Sequence, residues 1–164
     1  MEYGRERKKS REGWVEERCI GSGGFGTVTL YENKITKQQI ALKRCRMDLN
    51  AQNKKLWRQE VDIMKRLDHP NLVSAKDVPA PLDVSVDELP LLAMEFCSGG
   101  DLRKVLNSPE SCCGLKEKTV LKIASDVAAA VEFLHGHRII HRDLKPENIV
   151  ISHVDNKVIQ SWML

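Results

Sequence analysis

Three side chains in one short run carry most of the chemistry in this chain: Asp143, Lys145 and Asn148, within His141-Arg142-Asp143-Leu144-Lys145-Pro146-Glu147-Asn148. They place a general-base candidate, a cation and a metal-binding amide at fixed positions in one loop. Far upstream, Gly21-Ser22-Gly23-Gly24-Phe25-Gly26 is a G-x-G-x-x-G match, a spacing that lets backbone approach phosphates. Alone it is weak, because dinucleotide-binding folds use it too. The next five residues discriminate. A dinucleotide site needs a helix N-terminus there, whereas Thr27-Val28-Thr29-Leu30-Tyr31 is β-branched and aromatic and reads as a strand, so an oxidoreductase reading fails. The glycines are expected to form a hairpin that closes over phosphates, with Val28 roofing a base.

These groups need elements to hold them. Gln39-Ile40-Ala41-Leu42-Lys43 reads as a buried strand ending on a cation, which taken alone is equally an exposed strand lysine. The next element shifts that balance. From about Asn50 to Leu67 the apolar residues Leu56, Ile63, Met64 and Leu67 recur at helical spacing, with Glu60 in the middle of the stripe. A carboxylate on the inward face of a helix is costly unless a cation meets it, so Glu60 is expected to pair with Lys43. Asp62 projects from the opposite face. His69-Pro70-Asn71 is expected to end the helix, and Ala75 to Pro90, with its prolines and acids, reads as a solvated connection between strands.

Leu91-Leu92-Ala93-Met94 reads as a short apolar strand, followed by the polar, glycine-ended break Glu95-Phe96-Cys97-Ser98-Gly99-Gly100. Asp101 is placed to cap a helix from Leu102 to Asn107. Leu115 to His135 carries Val120, Ile123, Ala124, Val127, Val131 and Leu134 at helical spacing and reads as a long amphipathic helix that delivers the chain to the His141–Asn148 loop. His135, His137 and His153 show no recognisable partners.

Composition sets outer bounds. With 164 residues, 41% hydrophobic and 30% charged, the chain resembles globular protein, and a net charge of +3 is too small to argue for nucleic acid or membrane binding. The basic run at residues 5–11 reads as a solvated, mobile terminus (1–13). The cysteines at 19, 45, 97, 112 and 113 lack Cys-x-x-Cys spacing, which argues against zinc, and are expected to be reduced thiols of the cytoplasm or the nucleus. The adjacent Cys112-Cys113 pair is expected to be two packed thiols in preference to a strained disulfide.

The glycine loop, Ile40-Ala41-Leu42-Lys43 and the His141–Asn148 run, in that order along the chain, resemble the signature elements of protein kinases. Within them, Pro90 to Lys104, Cys112-Cys113-Gly114-Leu115 and Gly23-Gly24-Phe25-Gly26 resemble the inhibitor-of-κB kinase family, from about Trp14 to Ile151. The resemblance implies an α+β, two-lobed protein kinase-like fold: a small lobe (14–94) of antiparallel sheet plus one helix, a hinge (95–100), and the start of a helical large lobe (101–151). It implies ATP and Mg2+ as cofactors. Asp143 would accept or orient the proton of a substrate hydroxyl, Lys145 would neutralise charge on the γ-phosphoryl, and Asn148 would hold magnesium. Lys43, positioned by Glu60, would hold the α- and β-phosphates. ATP would also meet Ile20, Gly21, Ser22, Gly23, Gly24, Phe25, Gly26, Val28, Ala41, the gatekeeper Met94, the backbone of Glu95 and Cys97, Asp101 near the ribose, and Val150.

Lys145, two residues after Asp143, resembles the serine/threonine form of the loop. The family implies phosphorylation of serines on inhibitor-of-κB proteins in NF-κB signalling, alongside other kinase subunits and a regulatory scaffold. One departure stands out. The family's Asp-x-Gly metal motif belongs roughly 13 to 16 residues after Asn148, where this chain has Ser161-Trp162-Met163-Leu164, and Asp155 comes too early. A kinase domain also takes roughly 250–300 residues. Residues 152–164 therefore read as a divergent tail on a kinase front half, and two functions stay open: an active kinase, or a catalytically dead truncated product that binds nucleotide weakly or competes for kinase partners.

Overall fold

The computed structural model describes residues 12–23, 26–45, 50–83, 89–152 and 157–160; the basic terminal run, Gly24, Phe25, His153, Asp155 and residues 161–164 lie outside them. The chain divides into two compact units. One takes residues up to Lys65 with Ala75–Phe96, the other Arg66–Ser74 with Cys97–Leu164. The division falls inside the stretch read as a hinge, and residues 66–74 group with the second unit despite preceding two strands of the first.

In the first unit, β1 (Trp14–Gly23), β2 (Gly26–Asn33), β3 (Gln39–Cys45), β4 (Ala75–Lys76) and β5 (Leu92–Glu95) form a five-stranded antiparallel sheet in the order β1-β2-β3-β5-β4. Alternation sorts its residues by face. Ile40, Leu42 and Ala93 join Trp14, Tyr31, Leu82 and Leu91 in one apolar cluster. The register pairs Val28 with Lys43, Leu30 with Ala41, Ala41 with Met94 and Lys43 with Leu92, so these residues share the opposite face. Helix α1 (Ala51–Met64) starts at Asn50, whose side chain accepts the Asn53 N–H.

Two expectations are corrected here. Helix α1 ends at Met64, capped by Lys65, before Leu67 and well before His69-Pro70-Asn71. The buried stripe is Trp57, Glu60, Val61 and Met64, while Leu56 is exposed: Glu60 and Met64 stay inward, but the centre of the face is turned by roughly 60° toward Trp57 and Val61. Likewise the stretch from Ala75 to Pro90 is not all solvated connection. Ala75–Lys76 is itself an edge strand, and Leu82, in a one-turn 3₁₀ segment, is fully buried.

In the second unit, α2 (Leu102–Leu106) and α3 (Glu117–Gly136) pack on the hairpin of β6 (Ile149–Ser152) and β7 (Lys157–Gln160), with Leu102, Ile123 and Ile149 at the centre. Asp101 caps α2 by accepting the Lys104 N–H at 2.9 Å. On α3 the buried residues are Ile123, Asp126, Ala130 and Leu134. Val120, expected inside, is exposed, as are Leu121, Ile140 and Leu144. His137 also has a partner after all: its Nδ1 lies 2.8 Å from the Phe133 carbonyl, and its ring packs on Phe133.

The end of α3 is a Schellman turn. Ile139 donates to the Leu134 carbonyl at 2.9 Å, which forces Arg138 to φ +60°. A side chain in the left-handed region costs about 1–2 kcal/mol, while glycine loses more chain entropy on folding. Arg138→Gly is expected to stabilise the chain by up to about 1 kcal/mol, read as a higher urea midpoint; an unchanged or lower midpoint would show that the Arg138 side chain offsets its own strain.

Candidate active site

The first unit carries a buried ion pair. Lys43 Nζ lies 2.6 Å from Glu60 Oε1, with side-chain exposures of 5% and 2%. The pair forms because β3 aims Lys43 to the face away from the main apolar cluster and α1 turns Glu60 inward between Trp57 and Met64. Trp57 was not singled out by its sequence, yet it frames the pair. Its ring lies 5.1 Å from Lys43 Nζ, a cation–π contact, and its indole N–H donates to the Pro90 carbonyl at 2.8 Å. Burial pushes the Glu60 carboxyl above the usual glutamate range, against the opposing charge and hydrogen bond of Lys43. Asp62 is on the exposed face.

The glycine-rich strand ends sit beside the same register. Gly21 pairs with Val28, Ser22 with Thr27 and Gly23 with Gly26, and Ile20 lies in β1 next to them. Gly26 is required sterically: a Cβ there would meet the Arg44 carbonyl oxygen at 2.0 Å. Gly24 and Phe25, assigned to the tip, fall outside the described residues. Val28, Ala41, Lys43 and Met94 share one sheet face, and Glu95 closes β5.

The second unit carries the loop chemistry. Asn148, fully buried, donates through Nδ2 to both the Asp143 carbonyl and Asp143 Oδ2, each at 2.8 Å, while Lys145 Nζ sits 2.8 Å from the same Oδ2. The hydrogen bonds from Lys145 first, and then Asn148, hold the Asp143 carboxyl below the usual aspartate range. His141 is buried; its carbonyl accepts the Asp143 N–H at 2.9 Å and its Nδ1 lies 3.3 Å from the same donor. Arg142 takes φ +65°, a left-handed turn that no glycine or asparagine signals.

Cys97, Asp101 and Val150 all belong to this unit, and Asp101 meets Val150 just beyond Asn148 in the chain. Gly99 donates to the Ile151 carbonyl and Ile151 back to Gly100, both at 2.9 Å, and Asp101 bridges Val150. A Cβ at Gly99 would come within 2.4 Å of the Ile151 carbonyl oxygen, so this zipper needs glycine. Arg103 Nε, 2.9 Å from Glu147 Oε1, ties α2 to the loop.

A magnesium ion fits one atom of this arrangement. Asn148 Oδ1 is buried with no hydrogen-bond partner, since the amide nitrogen is engaged with Asp143. An orphaned amide oxygen suits a hard cation that takes few protein ligands and keeps waters and phosphate oxygens. Among the described residues no group of three or more His, Cys, Asp or Glu side chains is placed to hold a metal.

Removing one partner of a buried ion pair strands the other. Glu60→Ala is expected to cost about 3–5 kcal/mol, whereas Asp62→Ala stays within about 0.5 kcal/mol; equal urea midpoints for the two variants would remove the argument for Glu60. In the loop, Lys145→Ala is expected to raise the Asp143 pKa toward its ordinary value, followed by carbon-13 NMR of the side-chain carboxylate. With Lys145 in place Asp143 stays ionised as the pH falls below the usual aspartate range, and with Ala it takes up its proton at higher pH. No upward movement would mean Lys145 does not set the charge state.

The protein kinase domain family matches residues 14–160, which carries the likeness past Ile151 through the β6–β7 hairpin. The inhibitor of nuclear factor kappa-B kinase subunit alpha of Xenopus laevis is 53% identical over 146 residues, 89% of this chain and 20% of that protein. The subunit beta of Rattus norvegicus is 50% identical over 147 residues, 89% of this chain and 19% of that protein. A probable serine/threonine-protein kinase, MARK-C of Dictyostelium discoideum, is 38% identical over 136 residues, covering 82% of this chain and 17% of its own length. The chain thus spans about one fifth of the length of the curated relatives it matches. With an antiparallel sheet holding a buried lysine–glutamate pair, a helical unit holding Asp143, Lys145 and Asn148, and this match, the chain belongs to the protein kinase family and within it is a relative of the inhibitor of nuclear factor kappa-B kinases.

Proposed function

We propose that these residues serve ATP-dependent transfer of a phosphoryl group to serine side chains of inhibitor-of-κB proteins, in NF-κB signalling in the cytoplasm. The observation that carries the reading is Asp143 held by Lys145 and Asn148, with Asn148 Oδ1 left for a cation. Asp143, kept ionised, accepts a hydrogen bond from the substrate hydroxyl and orients it. Lys145 offsets charge on the transferring group, and Lys43, fixed by Glu60, holds the α- and β-phosphates. Magnesium, held in part by Asn148, would neutralise phosphate charge. The backbone of Glu95 and Cys97 reads adenine, with Met94 beside it. The substrate class and the partners, further kinase subunits and a regulatory scaffold, rest on the likeness to the alpha and beta subunits named above.

A second reading is favoured by Val120, Leu121, Ile140 and Leu144, which are 47–64% exposed. Apolar side chains this open favour association with other chains. On this reading the 164-residue chain transfers no phosphate and either binds nucleotide weakly or competes for kinase partners.

One pair of measurements separates the two. The purified chain is given magnesium-ATP and a serine peptide, and its melting is followed with and without nucleotide. Turnover that disappears in Asp143→Asn, with the nucleotide-induced rise in melting temperature retained, supports the kinase. Absent turnover with that rise intact supports the second reading. Turnover unaffected by Asp143→Asn would overturn the role given to Asp143.

A further inference from the structure

Cys112 and Cys113 are not packed thiols. Both are exposed, neither is in a disulfide, and their sulfurs lie 3.8 Å apart on one side of the chain. The backbone holds them there. Cys112 ends the 3₁₀ turn Pro109–Ser111 and donates to the Pro109 carbonyl, while Gly114, at φ +86°, donates to the Ser111 carbonyl at 2.8 Å. No atom lies within 4 Å of where a Gly114 side chain would begin, so the turn's outer side is open.

A disulfide does not suit this geometry. Adjacent Cα atoms across a trans peptide are about 3.8 Å apart, below the roughly 4.4–6.8 Å that disulfides prefer, and there is no cis peptide among the described residues. The sulfurs would have to close to about 2.05 Å. A bridging atom fits better. With sulfur bonds of about 2.3 Å, as zinc forms, sulfurs 3.8 Å apart subtend about 110° at the atom between them. That angle is far from the straight line of two-coordinate copper(I). A tetrahedral zinc ion would need two further ligands, and among the described residues no group of three or more His, Cys, Asp or Glu completes a set. What remains is a soft, pyramidal centre that takes two protein sulfurs and brings its third substituent along.

We propose that Cys112 and Cys113 form a dithiol site that chelates a monosubstituted trivalent arsenical. The reaction balances without an oxidant: R–As=O meets two S–H groups, two As–S bonds form, and the arsenic–oxygen bond is lost as both protons leave on that oxygen as water. Arsenic stays trivalent and the sulfurs stay thiolate. The site is separate from the phosphoryl-transfer residues and does not depend on the kinase reading.

The test uses the purified chain and equimolar phenylarsine oxide, read by intact mass and peptide mapping. The expected product is one phenylarsenic per chain with loss of one water, mapping to Cys112–Cys113, surviving excess monothiol and released by 2,3-dimercaptopropanol. Cys112→Ser and Cys113→Ser should each cut monothiol-resistant labelling at least tenfold. A chain with Cys19, Cys45 and Cys97 all changed to serine should keep it, and because Cys45 and Cys97 are buried, a Cys19→Ser single variant provides the same control if the triple variant does not fold. Resistant labelling that persists in Cys112→Ser, maps elsewhere, or yields to monothiol in the unmodified chain overturns the proposal.

Discussion

The first unit is organised by the demand of two opposite charges that cannot be left alone. Lys43 and Glu60 are each within a few per cent of complete burial, and a charge there is tolerable only with its counterpart in contact. That condition fixes more than the pair. The strand must present Lys43 on one face, the register of β2, β3 and β5 must put Val28, Ala41 and Met94 on that same face, and α1 must arrive with Glu60 turned inward. Trp57 completes the enclosure, with its ring against the ammonium and its N–H spent on Pro90. Such a pair adds little net stability, since desolvation offsets much of the attraction. What it supplies is a lysine held in one position.

The second unit solves the same problem with a neutral group. Asn148 is fully buried, and its amide nitrogen is satisfied twice by one residue, Asp143, through backbone and side chain. This leaves the amide oxygen unpaired and fixes the carboxylate's orientation in one stroke. Around it the loop is pinned from several directions: by His141 beneath the Asp143 N–H, by the Arg103–Glu147 pair, and by the Gly99–Ile151 zipper at the far end of β6. The zipper gives the Gly99-Gly100 pair a structural duty besides flexibility, because no side chain fits against the Ile151 carbonyl.

What could be read from the sequence depends on how strongly each residue type constrains its surroundings. An acid within an apolar helical stripe announces a partner, so Glu60 and Lys43 were legible, as was the Asp101 cap. The phase of the stripe was not. Leu56 and Trp57 are adjacent, and it is the indole that takes the inward place, its N–H satisfied by the Pro90 carbonyl. Arg138 and Arg142 sit at positive φ, where the residue type gives no hint and surrounding hydrogen bonds decide. Leu82 was hidden for a different reason: the prolines and acids around it read as a solvated connection, yet the core takes it up completely.

Helix α3 shows the limit of periodicity as a measure of burial. The apolar recurrence of Val120, Ile123, Ala124, Val127, Val131 and Leu134 marks a face made for packing, but packing needs a surface opposite. Within the second unit β6 and α2 provide it for Ile123, and Ala130 and Leu134 are also enclosed, while Val120, Leu121 and Ala124 face outward. Leu144, inside the functional loop, and Ile140 just before it are open as well. The side chains that hold Asp143 are therefore set by polar contacts within their own loop, whereas much of the apolar surface around that loop is unspent. The geometry of this loop rests on local hydrogen bonds and not on apolar cover over Ile140 and Leu144.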